Sequence, residues 1–418
     1  MHSSVITNGN QRYMEDVPLR EIIQQYGSPC YAYSKQAISE NFLDYQRALS
    51  PRDHLICYAV KSNSNIAVLQ TLAKLGAGFD IVSVGELERV LLAGGDPAKV
   101  VYSGVAKTAD EMRRALEVGI HCFNVESESE LKLLNKTAAQ TKQMAPVSLR
   151  VNPDVDAKTH PYISTGLKEN KFGIDINRAY EVYQQAAQMD NISVVGVDCH
   201  IGSQLTDIAP FIDAMQHLLI LVDRLAEAGI TLKHIDIGGG LGVRYQNETV
   251  PSLASYMDAL APLLKDRTET LIMEPGRSIT ANAGILLTQV QVIKKNGDKN
   301  FAIVDAAMND MLRPALYDAW MDINTIEIIS GRTEADYDVV GPVCETGDFL
   351  AKDRTLAIEE GDYLYLSSAG AYGFTMSSNY NSRPRVAEVM VDGNQQHLVR
   401  ARETIEDLVR GEQLIKEQ

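Results

Sequence analysis

The sequence predicts an α/β protein, a (β/α)8 barrel of the TIM type with a second, mainly β domain of sandwich or barrel-like form. Three observations lead there. Eight short apolar runs alternate with amphipathic helical stretches between about Leu55 and about Ile279. Beyond about Ala281 the helical stretches stop, while β-branched and aromatic runs continue. Neither a GxGxxG nor a Walker loop accompanies the runs, which weighs against an open doubly wound sheet, the other fold this alternation could build.

In chain order the runs are "LICYAV", "FDIV", "VVYSG", "HCFNV", "VSLRVN", "VVGVDCH", "HIDIGGG" and "LIMEPG". Between them lie stretches such as "ADEMRRALEVG" and "SESELKLLNKTAAQ", with apolar residues three or four apart. Gly119 sits where the first of these should end. Strands that alternate with helices pair in parallel, and eight such units close into a barrel of about 250 residues. The later runs, "GILLTQVQVIKKNGDKNFAIVDAAM", "YDVVGPVC" and "GDYLYLSSAG", are split by turns such as Asn296-Gly297-Asp298. The expected division is a barrel over 36–280, with 1–35 and 281–418 forming the β domain. In this division "CYAYS" is a strand of the β domain, and "TIEDLVRGEQLIKEQ" reads as either helical or extended.

The composition is that of an ordinary soluble globular chain: 418 residues, 45% hydrophobic and 22% charged. A net charge of −16 argues against a nucleic-acid or anionic-membrane binder, since phosphate surfaces would repel it. No apolar stretch is long enough to span a bilayer, and the N-terminal residues lack the apolar core of a signal peptide. The five cysteines, Cys30, Cys57, Cys122, Cys199 and Cys344, form no CxxC, so neither a disulfide framework nor a metal site is expected. The expectation is a reduced, cytoplasmic protein.

In a barrel of this kind chemistry collects where the strands end. The first run ends in "KSNSN", placing Lys61 at a strand end, either as a solvated amine or as a reactive one. The sixth ends in "HIGSQ", with His200 and Ser203. The seventh ends in "DIGGGLG", with Gly239 and Gly240, and the eighth in "MEPGR", with Glu274, Pro275, Gly276 and Arg277. Each has a plain alternative: the glycines a tight turn, His200 a core histidine, Glu274 a salt-bridged wall residue. Together a lysine, a flat ring, a carboxylate and a glycine-rich anion cradle match what pyridoxal 5′-phosphate requires.

These motifs, with "YAVKSNSN" and "GPVCETGD", resemble the fold-type III pyridoxal-phosphate-dependent decarboxylases, and are most similar to their diaminopimelate-decarboxylating branch. The match extends from about residue 28 to about residue 385 and includes "NPDVDAKTHPYISTGLKENKFGI" and "LRPALYDAW". Departures are Val84 in "SVGEL", where a second glycine is more usual, and Thr346, where serine is common. The resemblance implies that Lys61 forms the Schiff base, with Asp80 orienting it. His200 would stack on the cofactor ring and Glu274 would pair with its nitrogen. Ser203, Gly239, Gly240 and the Pro275-Gly276-Arg277 stretch would hold the phosphate, joined by Tyr372. Arg277, Arg313, Tyr317 and Tyr372 would bind the substrate. Cys344 would donate a proton and Glu345 would face the substrate's distal ammonium, both supplied by the partner subunit of a homodimer with shared active sites.

The implied reaction is decarboxylation of meso-2,6-diaminopimelate to L-lysine and CO2, the last step of bacterial lysine biosynthesis. That substrate carries a second carboxylate, which suits forked arginine donors at Arg277 and Arg313. The alternatives are related decarboxylases of carboxynorspermidine or of ornithine, lysine or arginine, and after them an amino-acid racemase. A non-catalytic pyridoxal-phosphate homeostasis protein would resemble the barrel alone, and a phosphate-binding barrel enzyme without the cofactor is the outsider.

Overall fold

The computed structural model describes residues 4–50, 52–156, 165–166 and 170–416. Much of the "DAKTHPYISTGLKEN" stretch therefore lies outside the described residues. The chain forms two compact units, Ser39–Ile279 and Met1–Ile38 with Thr280–Gln418.

The first unit is the barrel. Its strands are β1 His54–Ala59, β2 Gly78–Ile81, β3 Val100–Tyr102, β4 Cys122–Val125, β5 Ala145–Asn152, β6 Ile192–Asp198, β7 His234–Asp236 and β8 Thr270–Met273. They pair in parallel in the cyclic order β5-β6-β7-β8-β1-β2-β3-β4, and β4 returns to β5 to close the ring. All eight coincide with the apolar runs. Strands covered on both faces read as continuous apolar stretches rather than alternating ones, which is why these were visible. A two-residue strand, Ile174–Asp175, adds to β5 in parallel.

Local chemistry places the helices. Thr108 and Glu111 form a reciprocal capping box at the start of Ala109–Val118, and Gly119 ends that helix with φ +74°. Ser127 accepts from the Glu130 N–H to open Glu128–Thr141. Inside the ring Cys57, Val101, Cys122, Val195 and Ile272 pack as a layer. The register sets Asp198 of β6 against Asp236 of β7, and Ala59 of β1 against Asp80 of β2. Acidic side chains are thereby brought level at one end of the barrel.

The second unit is mainly β. Cys30–Ser34 lies between Gly284–Asn296, which it meets antiparallel, and Ala387–Asp392, which it meets in parallel. The sheet continues through Lys299–Val304, Ala335–Val340 and Phe349–Leu356 on one side and Gln395–Arg400 on the other. The turn expected at Asn296-Gly297-Asp298 joins Gly284–Asn296 to Lys299–Val304 as an antiparallel pair. A separate three-stranded sheet, Val5–Asn8, Gln11–Met14 and Val17–Pro18, precedes the helix Leu19–Tyr26. Near the C-terminus Thr404 caps a short helix, Ile405–Leu408, which resolves part of the ambiguous tail.

Candidate active site

Lys61 lies in a single 3₁₀ turn, Val60–Ser62, directly after β1. The polar residues around it fix that turn. The Ser62 hydroxyl lies 2.8 Å from the Ala59 carbonyl and 2.9 Å from the Tyr58 hydroxyl, and Tyr58 in turn donates to the Asn63 carbonyl at 3.0 Å. Asn65 then caps the helix Ile66–Lys74 by accepting from the Ala67 N–H. The backbone at Lys61 is thus held while its side chain remains about one-third exposed. Its Nζ donates to Oδ2 of Asp80 at 2.7 Å. Asp80 itself has no exposed surface, and its Oδ1 is buried without a hydrogen-bond partner among the described residues.

Glu274 follows β8 and accepts from the Asn124 amide at 3.2 Å. Carboxylate oxygens of Asp198, Asp236 and Glu274 all lie within 4.8 Å of one another, and all three residues are buried. Buried like charges at this spacing cannot all ionise. Burial, reinforced by Asp236, Asp80 and Asp198 and opposed by Lys61, pushes Glu274 well above the usual carboxylate range. Burial and Asp80 raise Asp236 to about 7, against the Gly238 N–H that favours its charged form. Arg150 of β5 supplies the nearby positive charge, 2.9 Å from Glu126 and 3.9 Å from Asp198.

His200 follows β6. Its Nδ1 accepts from the Gly239 N–H at 3.2 Å, so that nitrogen carries no proton. Burial, then the positive charges of Arg150 and Lys61, hold this imidazole neutral by pushing it well below the ordinary histidine range. Two glycines in the loop after β7 admit no substitute. A Cβ on Gly239 would fall on the Glu274 carbonyl, and Gly240, at φ +107°, would place one 2.5 Å from the Gly202 carbonyl. The loops after β6, β7 and β8 therefore pack backbone against backbone. A Cβ on Gly276 would lie 3.0 Å from the Ala59 and Ser62 side chains.

Arg277 is buried, and its fork is occupied. Nε and Nη2 donate to the Ser203 hydroxyl at 3.2 and 3.0 Å, and Nη1 donates to the Tyr245 hydroxyl at 2.7 Å. Tyr245, which holds one arm of this fork, is not among the residues the sequence singles out. An aromatic residue just past the glycine loop, in "GVRYQ", was the available signal. Arg150 and the acidic partners Asp198 and Asp236 were also overlooked, because their grouping arises from strand register.

The barrel thus assembles Lys61, Asp80, His200, Ser203, Gly239, Gly240, Glu274, Pro275, Gly276 and Arg277 at its strand ends. The other sequence-derived residues belong to the β unit. Arg313 opens the helix Arg313–Tyr317 and is buried, with Nη1 3.4 Å from the Met321 sulfur. Tyr317 is half-buried. Cys344 and Glu345 lie on a loop shaped by Asp348, which accepts from the Met308 and Val343 N–H groups at 2.6 and 2.8 Å. The Cys344 N–H donates to Asn381 at 2.8 Å, and Tyr380 lies 3.4 Å from Glu345. Cys344 is exposed, whereas the other four cysteines are buried. Tyr372 is half-buried and left-handed at φ +56°, a conformation that non-glycine residues seldom adopt.

Residues 35–281 match the family described as pyridoxal-dependent decarboxylase, pyridoxal binding domain. The diaminopimelate decarboxylase of Pseudomonas aeruginosa is 61% identical over 403 residues, covering 96% of this chain and 97% of its own. The crystal structure of diaminopimelate decarboxylase from Helicobacter pylori complexed with L-lysine is 44% identical, with a TM-score of 0.91 and coverage of 94% of this chain and 98% of its own. The enzyme from M. jannaschii in co-complex with L-lysine is 38% identical, with a TM-score of 0.93 and coverage of 99% and 98%. A match of this extent to both sequences and folds, on a barrel whose rim carries the expected lysine, histidine, glutamate and glycine loop, means that the chain belongs to the pyridoxal-dependent decarboxylases, in the diaminopimelate decarboxylase branch.

Proposed function

We infer that this chain removes CO2 from meso-2,6-diaminopimelate to give L-lysine, using pyridoxal 5′-phosphate, as the last step of lysine biosynthesis. The observation that carries the reading is Lys61, an accessible amine anchored at a strand end and paired at 2.7 Å with a buried carboxylate. The barrel's residues fit the cofactor. Gly239 against Glu274, and Gly240 against Gly202, approach too closely for a Cβ, so bare backbone lines these strand ends. Lys61 would hold the aldehyde carbon, His200 would face the ring and Glu274 would face the ring nitrogen. Ser203, Gly239, Gly240 and Pro275-Gly276-Arg277 would hold the phosphate, with Tyr372.

When bound, the cofactor supplies a carbonyl for covalent attachment and a ring that accepts the electron pair left when the carboxylate departs. The chain's own groups do the rest. Asp80 holds the Lys61 Nζ and its protons in place. Glu274 sits among carboxyls that keep a proton in the cluster at neutral pH, so it has one to share with a ring nitrogen. The neutral His200 offers a flat face and adds no positive charge.

For the β unit we propose that Arg313 and Tyr317 recognise the substrate's carboxylates, together with Arg277 and Tyr372. Glu345 would recognise the distal ammonium. The thiol of Cys344 would deliver the proton that replaces CO2, and its exposure supports such a role. We further propose a homodimer in which Cys344 and Glu345 serve the partner's barrel, and a cytoplasmic location. The unpaired cysteines support that location. No helix among the described residues is long and apolar enough to cross a membrane. The test is to incubate the purified enzyme separately with meso-diaminopimelate, lysine, ornithine, arginine and carboxynorspermidine. L-lysine and CO2 from the first alone are expected. Turnover of another substrate, with none of meso-diaminopimelate, would overturn the reading.

A further inference from the structure

At the opposite end of the barrel from Lys61, three side chains with metal-binding donors converge. Cys122 and His234 are the first residues of β4 and β7, and His121 immediately precedes β4. Because β5 and β6 separate β4 from β7 in the ring, the group spans the lower opening of the barrel. One donor atom from each residue lies within 4.8 Å of the other two. The Cys122 sulfur is 3.9 Å from Nε2 of His234, and the two imidazole rings are 5.1 Å apart.

The surroundings orient these donors. Nδ1 of His121 lies 3.2 Å from the Ala98 carbonyl, so it carries the proton and Nε2 is left with the lone pair. That Nε2 is buried and has no partner among the described residues. A carbonyl fixing the distal nitrogen is the usual arrangement around a metal-bound histidine. The ring of His234 rests on Gly196, where any Cβ would strike it. Asn124 presents its carbonyl oxygen 3.7 Å from the Cys122 sulfur. Metal–nitrogen bonds of about 2.0–2.1 Å and metal–sulfur bonds of about 2.3 Å require donors roughly 3.4–3.8 Å apart. The observed separations meet this with side-chain shifts of about 1 Å or less.

We propose that His121, Cys122 and His234 form a binding site for a thiophilic closed-shell metal ion, Zn2+ or Cu+, at the N-terminal end of the barrel. One thiolate and two imidazoles suit borderline and soft ions and disfavour Mg2+ and Ca2+, which take oxygen donors. On binding, a sulfur–metal bond replaces the Cys122 S–H, and the proton leaves to solvent. No electron is transferred. The half-buried His121 provides the route of entry from solvent. An ion bound here would cross-link strands that are not neighbours, and so stabilise the closed ring by mass action.

The test uses the cofactor-loaded enzyme, stripped of metal by dialysis against a chelator. Zn2+ is titrated in one arm. In the other, Cu+ is titrated anaerobically against a competing chromophoric chelator. One equivalent per chain is expected for at least one of the two ions, with an X-ray absorption shell of one sulfur and two imidazole nitrogens and an ion-dependent rise in melting temperature. Cys122→Ala and His121→Gln should each weaken binding by more than ~100-fold, beyond the ~10–100-fold that loss of an outer partner costs. The wild-type absorption shell decides the matter even if a variant misfolds. Absence of stoichiometric binding by either ion, or a shell without sulfur, would overturn the proposal. So would binding that survives Cys122→Ala but is lost in Cys344→Ala.

Discussion

Replacing Asp80 with asparagine separates what this residue does for the fold from what it does for Lys61. The side chain keeps its shape but loses its charge, and with it the 2.7 Å charge-assisted contact to Nζ. Such a bond contributes about 1.5–3 kcal/mol when buried, equivalent to roughly 10–150-fold in a rate or equilibrium that depends on it. Global stability should change far less. Asp80 is fully buried with one oxygen unpartnered among the described residues, so neutralising it also removes a desolvation penalty. Lys61 is one-third exposed and can recover solvation from water. The expected Asp80→Asn protein unfolds in urea within about 1 kcal/mol of wild type. It takes up cofactor covalently on the order of 10–100-fold more slowly. Stopped-flow absorbance follows that uptake, and borohydride trapping with peptide mapping confirms Lys61 as the attachment point. Uptake at the wild-type rate in a folded Asp80→Asn protein would refute the idea that Asp80 positions the amine, and label on any other lysine would remove Lys61 from its assigned place.

Glu274→Gln should still bind cofactor but decarboxylate slower by orders of magnitude, because an amide cannot supply the proton; single-turnover CO2 release checks this, and near-normal turnover would contradict it. Arg313→Ala and Glu345→Ala should each reduce kcat/KM for meso-diaminopimelate by about 10–100-fold, the value of one buried charge-assisted bond; unchanged constants in both would count against their assignment to the substrate. Mixed Lys61→Ala and Cys344→Ala dimers should regain part of the activity after subunit exchange, since one site in each hybrid would hold both residues. No recovery, with exchange verified by mass spectrometry, would put both in one chain's site or take Cys344 out of the chemistry. The cofactor-free protein should lose stability as pH rises from about 4 to about 7. In that window unfolded Asp236 gives up its proton near its ordinary value, while the folded group holds on until about 7. The shift sets a ceiling of about 4 kcal/mol, and Asp236→Asn should flatten the slope in urea melts at stepped pH.

How far the sequence could be read depended on whether a feature is local. The barrel strands were legible because each is buried on both faces and stands out as an unbroken apolar run, such as "LICYAV". Lys61, His200, Glu274 and the glycine loop were legible because each directly follows such a run. Arg313 lies in the apolar "MLRPALYDAW", and it is buried. Most free cysteines are small buried residues, and the exposure of Cys344 sets it apart from the other four. What could not be read was pairwise. Asp198 and Asp236 are unremarkable in "VVGVDCH" and "HIDIGGG" until parallel register sets them side by side. Tyr245 acquires meaning only once Arg277 folds back to it. The same holds for the small N-terminal sheet, whose strands of two to four residues are too short to show a period.

The strand Cys30–Ser34 has a consequence for how the protein is made. Its partners on either side are Gly284–Asn296 and Ala387–Asp392, and the hydrogen bond from Tyr33 to Glu388 joins residues 355 positions apart. A ribosome adding about 5–20 residues per second needs roughly 20–70 s to span that distance. The barrel residues emerge in between and can close among themselves, whereas Cys30–Ser34, entirely buried in the finished sheet, waits with both edges unpaired. A nascent chain stalled before Gly284 would therefore expose a short, aromatic, aggregation-prone strand with neither edge paired, and that interval is when a chaperone would have most reason to hold it.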